Sequence, residues 1–559
     1  MAILAMATGT AMAQDVVGDW QGTLRAGATE LRLVLHLSKS KTGRLQGTVE
    51  SIDQAPGFGM EITAASFLNS ELRLSLTDYA ATYEGRMNAA GAIDGTWTQG
   101  MKLPLTWERK AAEAAKPADV AAYAGDWHGD LDLRLATLYL VIHIATAGGE
   151  LTATLDSPDQ GGPGVRATSA AIEGEYLKIE WKEIGAVFRG RIANDPDSLE
   201  GSFVQSGMPG MLKLKRVRDA ADLVRRRPQM PVCPFPYREE EVRYRNPRAK
   251  GRVTLAGTLT IPPGEGPFPA AILIAGSGSL DRDETVAGHK PFLVLADYLT
   301  RRGIAVLRAD KRGAGESGGD SAKALTADYA SDVEAGVAFL RTRPEVDGRR
   351  IGLVGHSEGG VIAPMVAAED RGIAFAVLMA GTGVPGEELV AEQIETSLEL
   401  SGSDAATAAR WGDAARKVVA ALKISRDPAA AKEALTAKDG FADAMASSLI
   451  ARITATPWLR AFVAIDPRVA LRGVTCPVLA INGSKDKQVP AGPNLAGIRQ
   501  ALQDGKNLHF EVEEMPGLNH MFQTAETGAP LEYGHIEETM SPVALERIAA
   551  WIRAVTHAK

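Results

Sequence analysis

The sequence predicts a multidomain protein in which two tandem small antiparallel β domains precede an α/β domain that carries a helical insertion. Three observations predict this organisation. An internal repeat occupies the first 217 residues, apolar runs alternate with helical segments after residue 240, and residues 387–465 show no strand pattern. A chain of 559 residues is also too long for a single hydrophobic core, so several domains are expected.

The internal repeat has a period of 106 to 107 residues. Its matching segments are residues 18–22 with 125–129, residues 33–37 with 140–144, and residues 95–99 with 201–205. Two copies at this period indicate two domains rather than a solenoid. Each copy alternates apolar and polar residues between turns, which is typical of half-buried antiparallel strands. We therefore expect β domains at residues 15–110 and 118–217, each a small sandwich or a partly closed barrel.

The tryptophans of the repeats are predicted to be core residues, because large aromatic side chains carry much of the apolar area that a small domain buries. They are Trp20, Trp97, Trp107 and Trp127. The alternative is that the repeats contact carbohydrate or lipid. The repeats contain no catalytic constellation.

The N-terminal residues 1–13 are small and apolar, and A-M-A at residues 11–13 has the A-x-A form of a signal-peptidase site. We interpret this segment as the remnant of a signal peptide, which predicts a periplasmic or secreted protein. Because the basic start of a signal peptide is missing, the alternative is a cytoplasmic protein with an Ala-rich terminus. Two cysteines, Cys233 and Cys476, are too few for a disulfide framework.

Charge and hydropathy exclude several classes of partner. The net charge is −8, and the sequence lacks the concentrated Lys and Arg that a nucleic-acid surface requires. No stretch approaches the roughly 18 consecutive apolar residues of a membrane span. We expect neither nucleic-acid binding nor stable membrane insertion, and the oligomeric state stays open.

Residues 218–240 are rich in Arg and Pro and predict a linker, and residues 241–559 predict one α/β domain. Its apolar runs are residues 270–275, 304–307, 351–354, 374–379, 478–481 and 509–512. Continuous apolar strands separated by helices are typical of a parallel sheet covered on both faces. Residues 387–465 are Ala-rich and too long for a loop, so they predict a helical cap inserted after the sixth strand.

One serine stands in the setting of a nucleophile. The strand at residues 351–354 runs into G-H-S-E-G at residues 355–359, and a helical pattern follows. This is the nucleophile elbow of an α/β-hydrolase domain, in the strand–turn–helix context that it requires. The helix N-terminus next to Ser357 favours developing negative charge. We predict Ser357 as the nucleophile.

A serine hydroxyl needs a base, and the base needs an acid that orients it. In this fold the order along the chain is Ser, then Asp or Glu, then His. Asp486 follows the strand at residues 478–481, and His520 follows the strand at residues 509–512. Both therefore stand at carboxyl ends of strands, where active sites of open α/β sheets lie. We predict Asp486 as the acid, in preference to Asp466, and His520 as the base among the nine histidines.

An oxyanion hole needs two backbone donors. One is predicted to be the N–H of Glu358, and the other an N–H of G-S-G at residues 276–278, whose glycines allow close approach of the backbone. Ser277 is the predicted donor there, and Gly278 is the alternative. The residues predicted to line the substrate pocket are His289, His356, Trp458 and Phe462.

Two segments, residues 313–318 and 381–386, match G-x-G-x-x-G, which makes dinucleotide binding a competing hypothesis. A dinucleotide fold needs a further strand with an acidic end about 20 residues later. Neither segment is followed by one, and the sequence has no Walker A, H-E-x-x-H or Cys/His ligand spacing. We therefore expect no cofactor and no metal.

Several motifs taken together resemble bacterial α/β-hydrolase carboxylesterases of the dienelactone-hydrolase-like and prolyl-oligopeptidase-like kind. They are F-P-Y-R-E-E-E at residues 235–241, G-S-G at 276–278, D-R-D at 281–283, D-K-R-G at 310–313, G-H-S-E-G-G at 355–360 and L-N-H at 518–520. The resemblance covers about residues 235–559. The usual His-Gly of the oxyanion loop is Ala275-Gly276 here.

The resemblance implies hydrolysis of short- to medium-chain carboxylic esters through an acyl-enzyme on Ser357. Because relatives include peptidases and deacetylases, a serine peptidase of the aminopeptidase or acylaminoacyl-peptidase type remains an alternative. A carbohydrate or antibiotic deacetylase on the same triad is another. An alternative of a different class is a retired hydrolase scaffold that only binds its ligand.

Overall fold

A computed structural model defines the fold. It describes residues 16–26, 29–53, 57–110, 120–132, 137–147, 150–158, 162–173, 176–205, 208–219, 223, 226–249, 251, 253–400, 402–425, 427–438 and 443–557. The predicted signal segment, residues 1–13, lies outside the described residues. Two compact units are present, Met1–Leu133 with Leu138–Val224, and Arg134–Thr137 with Arg225–Lys559.

The first unit contains two nine-stranded antiparallel sheets, one for each copy of the repeat. The first consists of β1 (Gly18–Ala26), β2 (Thr29–Lys39), β3 (Leu45–Ser51), β4 (Gly59–Glu61), β5 (Ala64–Leu68), β6 (Glu71–Leu76), β7 (Ala81–Met87), β8 (Ile93–Gln99) and β9 (Met101–Arg109). After the short helix α1 (Val120–Tyr123), the second consists of β10 (Gly125–Asp132), β11 (Thr137–Ala147), β12 (Glu150–Ser157), β13 (Gly162–Arg166), β14 (Ser169–Glu173), β15 (Tyr176–Trp181), β16 (Ala186–Ile192), β17 (Ser198–Gln205) and β18 (Met208–Arg216).

Both sheets have the same strand order, which is β4-β3-β2-β1-β9-β8-β7-β6-β5 in the first. Trp20, Leu35, Tyr83 and Trp107 come from four different strands and are fully buried in one shared core. A single sheet can bring these side chains together only by curling around them, so each copy is a partly closed barrel rather than a sandwich. The four tryptophans predicted as core residues are all buried.

The second unit contains one eight-stranded sheet. Its strands are β19 (Arg238–Arg245), β20 (Thr254–Ile261), β21 (Phe268–Ile274), β22 (Ala305–Ala309), β23 (Val346–His356), β24 (Ala376–Met379), β25 (Val478–Gly483) and β26 (Phe510–Met515). The spatial order is β19-β20-β22-β21-β23-β24-β25-β26. The pairs β19–β20 and β20–β22 are antiparallel, and all the other neighbours are parallel. The first two strands are not among the apolar runs of the sequence, and β19 begins inside the segment predicted as linker.

Helices cover both faces of this sheet. They are α2 (Pro291–Thr300), α3 (Thr326–Leu340), α4 (Gly359–Glu369), α11 (Ala491–Asp504) and α12 (Pro542–His557). In β21, Ala270, Ile272 and Ile274 pack with α3, α4 and α11, whereas Ala271 and Leu273 pack with α2 and α12. Because successive side chains of a strand point to opposite faces, burial on both faces produces the continuous apolar runs.

The helical insertion lies between β24 and β25. Its helices are α5 (Gly386–Leu400), α6 (Ala405–Ser425), α7 (Pro428–Lys438), α8 (Asp443–Thr454), α9 (Pro457–Phe462) and α10 (Pro467–Leu471). A core of its own also includes Val361 of α4 and Val489 of the loop after β25, so it is packed directly onto the sheet domain. These features confirm the predicted fold class. In the part of the chain that the structure describes, no helix is long and apolar enough to cross a membrane.

Candidate active site

Ser357 lies at the turn between β23 and α4. Its φ of 54° is in the left-handed region, which is uncommon for a residue other than glycine. Its own N–H donates to the carbonyl of Met379 at 2.9 Å, which fixes the turn against the end of β24. Strain of this kind concentrates at functional sites, because the surrounding structure has to maintain it.

The glycines around this turn are required by close packing of the backbone. A Cβ on Gly355 would lie 2.0 Å from the carbonyl oxygen of Gly359, and one on Gly359 would lie 2.0 Å from that of Ile274. A Cβ on Gly360 would lie 2.6 Å from the Cα of Gly381. No side chain fits at these distances, which explains the G-x-S-x-G-G pattern physically.

Asp486 and His520 form a buried pair at the same edge of the sheet. Nδ1 of His520 is 2.7 Å from Oδ2 of Asp486, on the loops that follow β26 and β25 respectively. The other oxygen, Oδ1 of Asp486, accepts hydrogen bonds from the N–H groups of Gln488 and Val489, both at 2.8 Å. The carboxylate is therefore fixed in orientation and holds the imidazole with Nε2 turned away from it.

The residue before Ser357 lies against His520, because the ring of His356 is 4.8 Å from the ring of His520, centroid to centroid. The Ser357 hydroxyl and Nε2 of His520 make no hydrogen bond to any described residue, so the structure does not join them directly. Catalytic hydrogen bonds often tighten only when substrate binds.

The competing acid, Asp466, has a different role. Its side chain accepts from the N–H of Arg468 at 3.1 Å and caps α10, and its Oδ1 lies 2.8 Å from Nε of the Arg468 guanidinium. The Asp466 side chain therefore caps the start of a helix in the insertion, whereas the Asp486 side chain contacts His520.

The loop after β21 approaches the serine closely. A Cβ on Gly276 would lie 3.3 Å from Cβ of Ser357, and the N–H of Gly276 donates to Oε1 of Glu284 at 2.7 Å. The N–H groups of Ser277, Gly278 and Glu358 donate to no acceptor among the described residues. The predicted oxyanion donors are therefore unpaired, and Gly276 is not one of them.

The side chain of Glu358 is 1% exposed and is held from three directions. Oε2 lies 3.1 Å from Nζ of Lys311, and Oε1 accepts from Oγ1 of Thr326 at 2.8 Å. Oε1 also accepts from Nε1 of Trp458 in α9 at 2.6 Å. Trp458 in turn stacks on Phe462 at 5.1 Å, and Phe462 is buried. These two aromatic residues, predicted to line a pocket, therefore join the insertion to the serine turn.

The two histidines predicted to line the pocket are buried, and their rings are occupied by protein groups. His289 bonds Oγ1 of Thr539 at 2.9 Å and the carbonyl of Tyr533 at 2.8 Å. His356 bonds Oε1 of Glu284 and the carbonyl of His520, both at 2.9 Å. Both rings therefore support the surrounding loops, and their place in a substrate pocket stays a prediction.

Burial lowers the pKa of His356, but the charge of Glu284 and the hydrogen bonds raise it more, so the pKa is above its ordinary value.

Glu284 and Lys311 were not identified from sequence. The local signals are that Glu284 follows the D-R-D motif and that Lys311 belongs to the D-K-R-G motif just after a buried strand. No group of His, Cys, Asp and Glu that could hold a metal occurs among the described residues.

Comparisons with known proteins cover the part of the chain that contains these residues. Residues 290–527, which include Ser357, Asp486 and His520, match the family model described as serine aminopeptidase, S33. The chain is 28% identical to esterase EstD of Thermotoga maritima over 302 residues, which is 53% of this chain and 65% of that esterase. The aligned segment thus spans less than two thirds of the esterase.

A second relative is acyl-coenzyme A thioesterase 2, mitochondrial, of Mus musculus. It is 33% identical over 140 residues, which is 25% of this chain and 27% of the thioesterase. Among solved structures, Est1E from Butyrivibrio proteoclasticus overlaps 55% of this chain and 95% of its own at 16% identity, with a TM-score of 0.33, too low to carry an inference. From the fold, the serine turn and the sequence relatives, the chain contains an α/β-hydrolase domain.

Proposed function

We propose that the protein is a serine carboxylesterase that hydrolyses short- to medium-chain esters through an acyl-enzyme on Ser357. The observation that carries the proposal is the buried pair of His520 and Asp486, at the same edge of the sheet as a serine held in left-handed backbone geometry. The likeness to esterase EstD supports an ester as the substrate.

In the proposed mechanism, Nε2 of His520 takes the proton of the Ser357 hydroxyl as its oxygen attacks the ester carbonyl. Asp486 keeps the proton on Nδ1 and stabilises the imidazolium that forms. The N–H groups of Glu358 and Ser277 donate hydrogen bonds to the oxyanion. These hydrogen bonds are stronger in the transition state than in the bound ester, so they lower the barrier. His520 then gives its proton to the leaving alcohol, and water repeats the cycle on the acyl-enzyme.

A second candidate is a serine peptidase of the aminopeptidase type, favoured by the description of the matching family model. The same nucleophile, base and acid can cleave an amide, because His520 can protonate a leaving amine as well as an alcohol. The two functions differ in rate on matched substrates. A peptidase would cleave aminoacyl arylamides faster than nitrophenyl esters of similar size, and we expect the reverse.

The test is labelling with a fluorophosphonate, which reacts with activated serines. We expect wild type to be labelled and Ser357→Ala to be unlabelled. The matched control is Ser448→Ala, the same change at an exposed position in α8. Labelling that persists in Ser357→Ala would refute the nucleophile, and unlabelled wild type would favour a retired scaffold. A panel of nitrophenyl esters of increasing chain length, with acyl-coenzyme A included, then defines the acyl preference.

A further inference from the structure

Lys311 is a buried lysine that contacts both sides of the predicted oxyanion hole. Its Nζ donates to the carbonyl oxygen of Gly276 at 2.6 Å and lies 3.1 Å from Oε2 of Glu358. The ammonium also lies 3.9 Å from the ring centroid of Tyr329. Two hydrogen bonds and an aromatic face thus surround a charge that is removed from solvent, which is the condition for burying an ammonium group.

The contact with Gly276 acts on a donor of the oxyanion hole through a single peptide group. The carbonyl of Gly276 and the N–H of Ser277 belong to the same peptide plane, and this peptide bond is trans. In a trans peptide the C=O and N–H point in opposite directions. A cation fixed on the carbonyl therefore fixes the direction of the Ser277 N–H, and it also polarises the group so that the N–H becomes a stronger donor.

The contact with Glu358 acts on the second donor. The carboxylate of Glu358 is held by Lys311, by Thr326 and by Trp458 of the insertion, whereas its N–H has no acceptor among the residues that the structure describes. Holding the side chain from three sides limits rotation of the residue that carries this N–H. One ammonium group therefore connects the two backbone donors, and the indole of Trp458 extends the connection into the helical insertion.

We propose that Lys311 is the positioning residue of the oxyanion hole, aligning the N–H groups of Ser277 and Glu358, with the Glu358 carboxylate as its link to the insertion. This rests on the proposed serine esterase function. Lys311 does not touch the reacting atoms in this scheme. Lys311 aligns the donors that bind the oxyanion, and the oxyanion forms only in the transition state. Its loss should therefore lower kcat and change substrate binding only weakly.

The first test is K311M, which keeps a chain of similar length and removes the donor. Complete loss of one oxyanion donor lowers kcat by about 10²–10³-fold, so misalignment is expected to lower it by about 10–100-fold, with KM within about twofold. Affinity for a trifluoromethyl ketone, whose oxyanion occupies the hole, should fall in parallel with kcat. The matched control is K323M, at a lysine that is 84% exposed. An unchanged ketone affinity in K311M would overturn the proposal.

The second test separates donor alignment from simple neutralisation of the buried Glu358 carboxylate. The double variant K311M/E358Q removes both charges, so it avoids a buried uncompensated carboxylate and also serves if K311M alone folds poorly. We expect kcat and ketone affinity to stay low, because the Gly276 carbonyl still lacks its donor. Recovery of both in the double variant would overturn the proposal. Failure of the esterase function is recognised separately, as wild type that neither labels with fluorophosphonate nor cleaves esters.

Discussion

Nε2 of His356 donates to the main-chain carbonyl of His520 at 2.9 Å, so the residue before the proposed nucleophile holds the backbone of the proposed base. A carbonyl oxygen can only accept, which places a proton on Nε2. Nδ1 faces the carboxylate of Glu284 at 2.9 Å, and the raised pKa of His356 favours a second proton there. Because Glu284 also accepts from the N–H of Gly276, one buried pair connects the base loop with the oxyanion loop.

Replacing His356 by Phe should lower kcat by about 10–100-fold with little change in KM. The aromatic packing is kept, but the His520 backbone loses its donor, and a displacement of about 1 Å in a reacting group can cost about 10²-fold. Steady-state kinetics on a nitrophenyl ester measures this. The control is the same change at His509, which is exposed. In H356F the buried Glu284 carboxylate loses its imidazole partner, and the double variant E284Q/H356F removes that unpaired charge. A wild-type kcat in the double variant would contradict a positioning role for His356.

Asp486→Asn should lower kcat by about 10⁴-fold while the protein stays folded, because the amide favours the wrong tautomer of the imidazole. Asp466→Asn is the matched control, since it is the other candidate acid. Asp466 caps α10, so we expect near-normal kcat and at most about 1 kcal/mol of lost stability. Kinetics and thermal unfolding of both variants decide the assignment, and equal losses of kcat would contradict it.

Gly360→Ala should destabilise the protein by about 1–3 kcal/mol and lower labelling of Ser357, because the new methyl group would meet the backbone of Gly381. Gly492→Ala is the control, because a Cβ on Gly492 has no atom within 4 Å and its backbone is helical. Chemical denaturation measures both. If Gly360→Ala were as stable as Gly492→Ala, the turn would be more open than the contact distances indicate.

The two β repeats share a histidine held between two carboxylates. His143 has Asp126 at 2.7 Å and Asp156 at 3.1 Å, and the corresponding residue His36 has Asp19 at 2.8 Å and Glu50 at 3.8 Å. Burial lowers the pKa of His143, but the hydrogen bonds to Asp126 and Asp156 raise it more. The Glu50 carboxylate is the main cause that raises the pKa of His36.

We expect the His143 signal in ¹³C-histidine NMR of the full chain, assigned by its loss in His143→Asn, to titrate above the ordinary value of about 6.5. Because the folded pKa is raised, the stability that the imidazolium contributes is fully present below about pH 6.5 and is lost as pH rises through the folded pKa. The unfolding temperature of the first unit should therefore fall over that range, and less in His143→Asn. A midpoint at or below 6.5 would contradict this.

Local sequence was sufficient to predict the structure wherever a short segment determines its own backbone geometry. G-H-S-E-G-G predicted the serine turn because the backbone contacts of Gly355, Gly359 and Gly360 leave no space for a Cβ. The apolar runs predicted the buried parallel strands because both faces of β21 are covered. The antiparallel strands β19 and β20 were missed, since they lack such continuous runs.

The tertiary structure alone decided how buried charges are paired. From the sequence, His356 and His289 were predicted to line the substrate pocket. In the structure their rings form hydrogen bonds to residues that lie 72 to 250 positions away in sequence. Lys311 reaches Gly276 and Glu358 across 35 and 47 residues. The sequence determined that a serine, an aspartate and a histidine follow the ends of three parallel strands, β23, β25 and β26. Their supporting partners depend on how the loops fold over that edge, because a buried polar group takes whichever partner the packing brings within reach.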